Sequence, residues 1–210
     1  MIKVAYSNVE KLDLTKAYPL LSNHRKNKVS RFRFDKDKKL GCGAYLLLMK
    51  LLEEKHIYNP LFKTGKYDKP YIVNYPNIHF NMSHSGKYVA CAISDTQVGI
   101  DIEYNDPTID LNIARNYFFN SEYENIIKSK NPSDEFFKYW VLKESYMKYT
   151  GLGFNLPLDS FEIIIEEDMR LKNDKNDIKF NLFDIKNYKL AVASHEKVDK
   201  CIEYKIELLY

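Results

Sequence analysis

Apolar residues recur along this chain with two periods, and each period marks a different kind of element. A period of two, rich in β-branched and aromatic residues, runs through residues 2–7, 78–83, 88–94, 98–103, 161–165, 178–183 and 188–194 and predicts short strands. The spacing makes 98–103 the hairpin partner of 88–94. A period near 3.6 runs through Leu40, Ala44, Leu47, Leu48 and Leu51 and predicts a helix over 36–55, capped by Asp35 or Asp37 and broken at Asn59-Pro60. Tyr139, Leu142, Tyr146 and Tyr149 form the same kind of stripe on a second long helix over 135–150, which Ser133 or Asp134 caps and Gly151 ends. Shorter helical stretches fall over 12–18, over 111–118 and from an N-cap at Ser121 to 129, and 168–177 reads as a charged hairpin loop.

The stretch Tyr88-Val-Ala-Cys-Ala-Ile-Ser94 returns, offset by one residue, as Tyr188-Lys-Leu-Ala-Val-Ala-Ser194. This points to a duplicated α+β fold of two similar lobes, 1–103 and 104–210, each a helix packed on a small antiparallel sheet.

Composition narrows the setting. Of 210 residues, 45% are hydrophobic and 29% charged, the balance of a globular protein with enough apolar material for a core. A formal charge of +3 is too mild for a nucleic-acid binder, yet it leaves room for an anionic small molecule or an acidic partner. The three cysteines, Cys42, Cys91 and Cys201, fit neither a disulfide framework nor a zinc spacing, which suits a reducing cytoplasm. The first residues lack the apolar core of a signal peptide. The most apolar helical segment, 44–52, is too short for a bilayer and contains Lys50.

Candidate chemistry concentrates in four places. In Gly99-Ile100-Asp101-Ile102-Glu103 the alternation puts Asp101 and Glu103 on one strand face, about 7 Å apart. Two carboxylates so placed repel each other, and a hard divalent cation is the usual way to hold them; the plainer reading is an edge strand with a solvated face. In Ser83-His84-Ser85-Gly86 a histidine stands between two hydroxyls beside a glycine, where backbone can approach an anion. The run from His24 to Arg33, with Arg25 and Lys28, is either a solvated helix face or a phosphate clamp, and Lys69 is either a surface lysine or a charge donor beside a nucleotide. On the second long helix, Trp140, Glu144 and Lys148 share a face away from the apolar stripe. Glu144 and Lys148 there make an ordinary i, i+4 ion pair or present a carboxylate and an ammonium to a metal-phosphate site.

Together, Phe80-Asn-x-Ser-His-Ser-Gly86, Gly99-Ile-Asp-Ile-Glu103 and Trp140-x-x-Lys-Glu-Ser-x-x-Lys148 resemble, in order and spacing, the motifs of the Sfp-type 4′-phosphopantetheinyl transferases. The resemblance extends over nearly the whole chain, and the length suits this two-lobed monomeric class better than the shorter trimeric synthases. It implies transfer of the phosphopantetheine arm of coenzyme A to a serine of an apo acyl or peptidyl carrier protein, in fatty-acid, polyketide or nonribosomal-peptide synthesis, with release of adenosine 3′,5′-bisphosphate. It implies Asp101, Glu103 and Glu144 as ligands of Mg²⁺, or of Mn²⁺. It implies Ser83 and His84 on the pyrophosphate side, Lys148 beside the transferring phosphate, Arg25 and Lys28 at the 3′-phosphate, and Lys69 and Pro70 in the adenine-side segment. Gly41 stands where the type member has Thr and supplies no hydroxyl.

Physical chemistry agrees with that assignment. Phosphoryl-type transfer needs charge neutralisation and alignment more than covalent catalysis. Glu144 is the first candidate for the base that takes the serine proton, with Lys148 or a metal-bound water as alternatives. The apolar segment 111–119, including Ile113, Tyr117 and Phe118, is the expected docking surface for a carrier helix. Two other readings compete: a Mg²⁺-dependent nucleotide phosphohydrolase, and a module that binds carrier protein or coenzyme A without turnover. The first is separated by its product and leaves the Trp140 to Lys148 motif unexplained; the intact acids argue against the second.

Overall fold

The predicted apolar faces assemble into a four-layer arrangement, helix on sheet on sheet on helix. The computed structural model describes residues 1–210. In chain order the elements are β1 (Lys3–Asn8), α1 (Leu14–Ala17), α2 (Asn23–Val29), α3 (Asp35–Glu54), β2 (Phe62–Thr64), β3 (Pro70–Ile72), β4 (His79–Ser85), β5 (Tyr88–Ser94) and β6 (Val98–Tyr104). There follow α4 (Asn112–Tyr117), α5 (Asn120–Lys128), α6 (Pro132–Thr150), β7 (Ile163–Ile165), β8 (Met169–Leu171), β9 (Lys179–Ile185), β10 (Tyr188–Ser194) and β11 (Cys201–Glu203).

Two hairpins, β4–β5 and β9–β10, form the centre, and the second repeats the first. Pairing runs from His79↔Ser94 to Ser85↔Tyr88 in one and from Lys179↔Ser194 to Ile185↔Tyr188 in the other. Each position lies 100 residues after its counterpart (179 − 79), so the one-residue offset suggested by the sequence is not present. Side-chain bonds repeat too: Asn81 Oδ1 accepts from the Ile100 N–H at 2.9 Å and Asn181 Oδ1 from the Val198 N–H at 3.1 Å. The fold is α+β, with two lobes of like construction.

The strand after each hairpin joins the opposite sheet. The sheets run β11-β1-β5-β4 and β6-β10-β9. The expected hairpin between 88–94 and 98–103 does not form, because both edges of β5 are already taken, by β1 and by β4. β6 therefore pairs antiparallel with β10, and β11 lies parallel to β1.

Alternation then decides what faces what. Val89, Cys91 and Ile93 of β5 pack under α3, while Tyr88, Ala90 and Ala92 meet Ile100, Ile102, Leu190 and Val192 between the two sheets. On β6 the even-numbered residues are spent on that intersheet core, which leaves Gly99, Asp101 and Glu103 for the other face.

Both long helices form where periodicity placed them, but their starts differ. Phe34 holds the N-cap position of α3 without a side-chain bond, and Asp35 and Asp37 lie within its first turn, facing the positive end of the helix. Asn131 caps α6, with Pro132 opening the helix, and Gly151 ends it at φ +73°. Glu122, not Ser121, closes the start of α5 by accepting from the Phe119 N–H at 3.0 Å. Part of 168–177 is strand, since β8 pairs with β7. Lys143 on α6 is fully buried and satisfied: its Nζ reaches Glu122 at 2.9 Å and the carbonyls of Leu158 and Phe161 at 2.8 and 2.7 Å.

Gly99 sets the spacing of α6 on β6. A Cβ there would intrude on Ser145 O and Tyr149 N, which are helix backbone atoms that a side-chain rotation cannot move. Gly99→Ala should therefore destabilise the fold by about 1–3 kcal/mol or lift the helix away, a loss read as a lowered Tm. A variant with unchanged Tm and turnover would show the contact to be unimportant.

Candidate active site

Close approach of α6 to β6 brings Glu144 and Lys148 to the strand acids, while Trp140 of the same helix stacks on Phe136. Asp101 is 1% exposed. Its Oδ1 accepts from Ser83 Oγ at 2.8 Å and from Lys148 Nζ at 2.5 Å, and Lys148 also donates to Ser83 Oγ at 3.0 Å. Its Oδ2 is buried without a hydrogen-bond partner. Lys148 thus makes no ion pair with Glu144, its neighbour one turn earlier; it crosses to the strand.

The two acids beside Asp101 are held above their ordinary values. Burial and then the field of Asp101 push the Glu103 carboxyl up to about 7, partly opposed by Ser85 and Lys148. Glu144 is raised by the same two causes in the same order, with Lys148 opposing. His84 is lowered, first by burial and then by Lys148.

His84 also lines a cavity of about 570 Å³ between α2, α3, the β2–β3 hairpin and β4. Arg25, Lys28 and Lys63 bring it positive charge, His24 and Asp68 also line it, and Tyr45, Phe62 and Phe80 give it aromatic walls. Arg25 is aimed by the backbone: its Nε and Nη2 both donate to Gly41 O, at 3.2 and 2.9 Å. The rest of the basic run points elsewhere, with Arg33 and Lys36 lying over the exposed ring of Phe34. A second cleft of about 500 Å³, between Phe119, Phe161 and the 173–176 loop, contains none of the predicted site residues.

The sequence model of the 4′-phosphopantetheinyl transferase superfamily matches residues 97–193, and that of the 4′-phosphopantetheinyl transferase N-terminal region matches 8–96. A 4′-phosphopantetheinyl transferase of Bacillus subtilis is 34% identical over 198 residues, 88% of this chain and 87% of its own. The chain belongs to the 4′-phosphopantetheinyl transferases. The Sfp transferase of Bacillus subtilis strain 168 is 38% identical over 140 residues, 63% of this chain and 62% of that one. The holo-[acyl-carrier-protein] synthase of Thermotoga maritima matches in structure at a TM-score of 0.40 and 19% identity, over 47% of this chain and 61% of that one.

As a member of this family the chain is an enzyme that moves the phosphopantetheine arm of coenzyme A to a carrier protein. The phosphohydrolase and the non-catalytic module are thereby set aside. No helix is long and apolar enough to cross a membrane.

For a transferase of this kind the residues expected from sequence fall into three groups. Ser83, Asp101 and Lys148 touch, with Glu103, Glu144 and His84 within their electrostatic reach. Arg25, Lys28, Pro70 and His84 line the cavity. Lys69 does neither: its ammonium donates to the carbonyls of Tyr149 and Val98, at 2.9 and 3.2 Å. Sequence reasoning missed the aromatic walls, which carry no spacing signal, and Asn81, whose bond to the Ile100 N–H pins the acid strand to β4.

No group of three or more His, Cys, Asp and Glu side chains is arranged to hold a metal ion, and Asp101 is engaged by Lys148. The chemistry of the donor set nevertheless fits a hard divalent cation. A buried carboxylate oxygen has no partner, and two further carboxyls are raised, first by burial and then by the charge of Asp101.

Proposed function

We propose that the transfer is Mg²⁺-dependent and occurs beside Asp101, where the coenzyme A cavity meets the acids through His84. The observation that carries this reading is the unpartnered, buried Oδ2 of Asp101 next to an ammonium and two raised carboxyls. Asp101, Glu103 and Glu144 would hold the cation, which when bound neutralises the pyrophosphate and stabilises the leaving bisphosphate; Mn²⁺ suits the same oxygen ligands.

Lys148 and His84 add to the field around the transferring phosphate, with Ser83 fixing Lys148. The carrier serine Oγ bonds to phosphorus as the bond to the oxygen of adenosine 3′,5′-bisphosphate breaks. The serine proton goes to a carboxylate oxygen of Glu144 not engaged by the cation; burial and then the field of Asp101 raise that carboxyl above its ordinary value. Mass spectrometry of a panel of apo carriers incubated with the protein, coenzyme A and Mg²⁺ tests the whole reading. A mass gain of the phosphopantetheine arm only with Mg²⁺ supports it, and equal gain in excess chelator overturns the cation.

Arg25 and Lys28 recognise the 3′-phosphate, and Pro70 contributes to the adenine side. Arg25→Ala should weaken coenzyme A far more than 3′-dephospho-coenzyme A, by about ten- to a hundredfold in affinity for one charged hydrogen bond. Equal weakening of both ligands would show that the arginine serves only the fold.

The carrier docks on 111–119. Within it Phe118 is a core residue, stacked at 5.7 Å on Phe136, so it is unavailable to a partner, whereas Tyr117 is 59% exposed. Tyr117→Ala should raise KM for the carrier about tenfold and leave KM for coenzyme A unchanged. An unaltered carrier KM would move the docking surface elsewhere.

The enzyme works as a monomer, since one chain supplies the cavity, the acids and Lys148. The lobes 1–103 and 104–210 divide the labour: the first brings the cavity, Asp101 and Glu103, the second Glu144 and Lys148. Carriers of fatty-acid, polyketide or nonribosomal-peptide synthesis are the substrates. The three free thiols, two of them buried, suit the cytoplasm.

A further inference from the structure

One ammonium joins the three elements that build the site. Lys69 stands in the β2–β3 turn between Asp68 and Pro70, both of which line the cavity. Its Nζ bonds Tyr149 O at 2.9 Å and Val98 O at 3.2 Å. Tyr149 lies in the last turn of α6, where carbonyls have no partner within the helix, and it directly follows Lys148. Val98 opens β6, three residues before Asp101. Gln97 Nε2 donates to the same Tyr149 carbonyl.

The placement is tight. Gly151 leaves room for the lysine stem, since a Cβ there would stand 3.0 Å from Lys69 Cδ. Burial pushes the Lys69 pKa down to about 8, and no carboxylate pairs with it. A half-buried cation bound only to carbonyls is one the fold has reason to keep for what those carbonyls hold in place.

We propose that Lys69 is a positioning residue for the transfer: from the wall of the coenzyme A cavity it fixes the end of α6 on the start of β6, and so sets Glu144 and Lys148 against Asp101. This rests on Glu144 and Lys148 acting in the transfer. It differs from a role in binding the nucleotide, because the ammonium points away from the cavity.

The test is Lys69→Met, which keeps the stem on Gly151 and removes the donors. kcat is taken per coenzyme A-binding site counted by calorimetry, so that unfolded protein does not enter. kcat should fall about ten- to a hundredfold, as for a small misplacement of catalytic groups, while KM and the calorimetric Kd for coenzyme A stay within about threefold. If Lys69→Met does not fold, Lys69→Gln, which keeps a polar group there but is too short for both carbonyls, is held to the same expectation. A tenfold rise in KM and Kd with kcat unchanged would make Lys69 a ligand-binding residue and overturn the proposal. Unchanged kcat and KM with only a lower Tm would reduce it to a stabilising contact and overturn it equally. Glu144→Gln assayed alongside separates the levels: if it retains full turnover the site assignment falls, whereas its loss beside an unaffected Lys69→Met sinks the Lys69 proposal alone.

Discussion

Asp101→Asn should lower carrier modification by at least about 10²–10³-fold, the scale of removing one preorganised electrostatic element from a site of this kind. The substitution keeps the volume of the side chain and removes only its charge. The fold should survive it. Breaking a buried pair costs about 3–5 kcal/mol when the remaining charge is trapped. Here the remaining charge is Lys148, whose side chain is 29% exposed and can turn to solvent, so the loss is smaller. Asp101 does not line the cavity, so coenzyme A affinity measured without divalent cation should hold within a few-fold. Mg²⁺ binding by calorimetry should weaken in parallel with the rate. Wild-type turnover in the variant at ordinary Mg²⁺ would sink the assignment of Asp101.

Glu144→Gln should keep coenzyme A binding and reduce turnover at least about a hundredfold at every Mg²⁺ concentration. Its carboxyl is raised first by burial and then by Asp101, which makes it a better proton acceptor than a solvated glutamate. If Glu144 acts mainly as a cation ligand, the amide keeps an oxygen there, and high Mg²⁺ should recover much of the rate. Recovery to near wild-type turnover would therefore reject the base and leave a ligand. No change in either binding or turnover would reject the site.

Both expectations start from residues that periodicity alone could group. Alternation placed Asp101 and Glu103 on one strand face, because a pleated strand sends successive side chains to opposite sides. Helical spacing placed Glu144 and Lys148 together, because 3.6 residues make a turn. The two long helices, the duplicated strand and the α+β class were legible for the same reason: local periodicity reports which face is buried. What the face is buried against is not local. Residues 98–103 read as the partner of 88–94, yet that edge belongs to β1, brought from the far end of the first lobe, and β6 crosses to β10. An i, i+4 ion pair was equally legible and did not form, because Asp101 lies within reach of Lys148 only once Gly99 has let the helix down onto the strand. Phe118 read as surface because its stacking partner Phe136 lies beyond a helix and a loop. Lys69 read as a charge for a nucleotide, and only the meeting of a turn, a strand start and a helix end shows which carbonyls it holds. The sequence by itself determined the two long helices, the principal strands and the family, and it pointed to a set of acids and cations. Tertiary structure decided which of them touch, because each contact joins residues far apart in the chain, and pairing edges, close approach and burial are properties of the assembled layers.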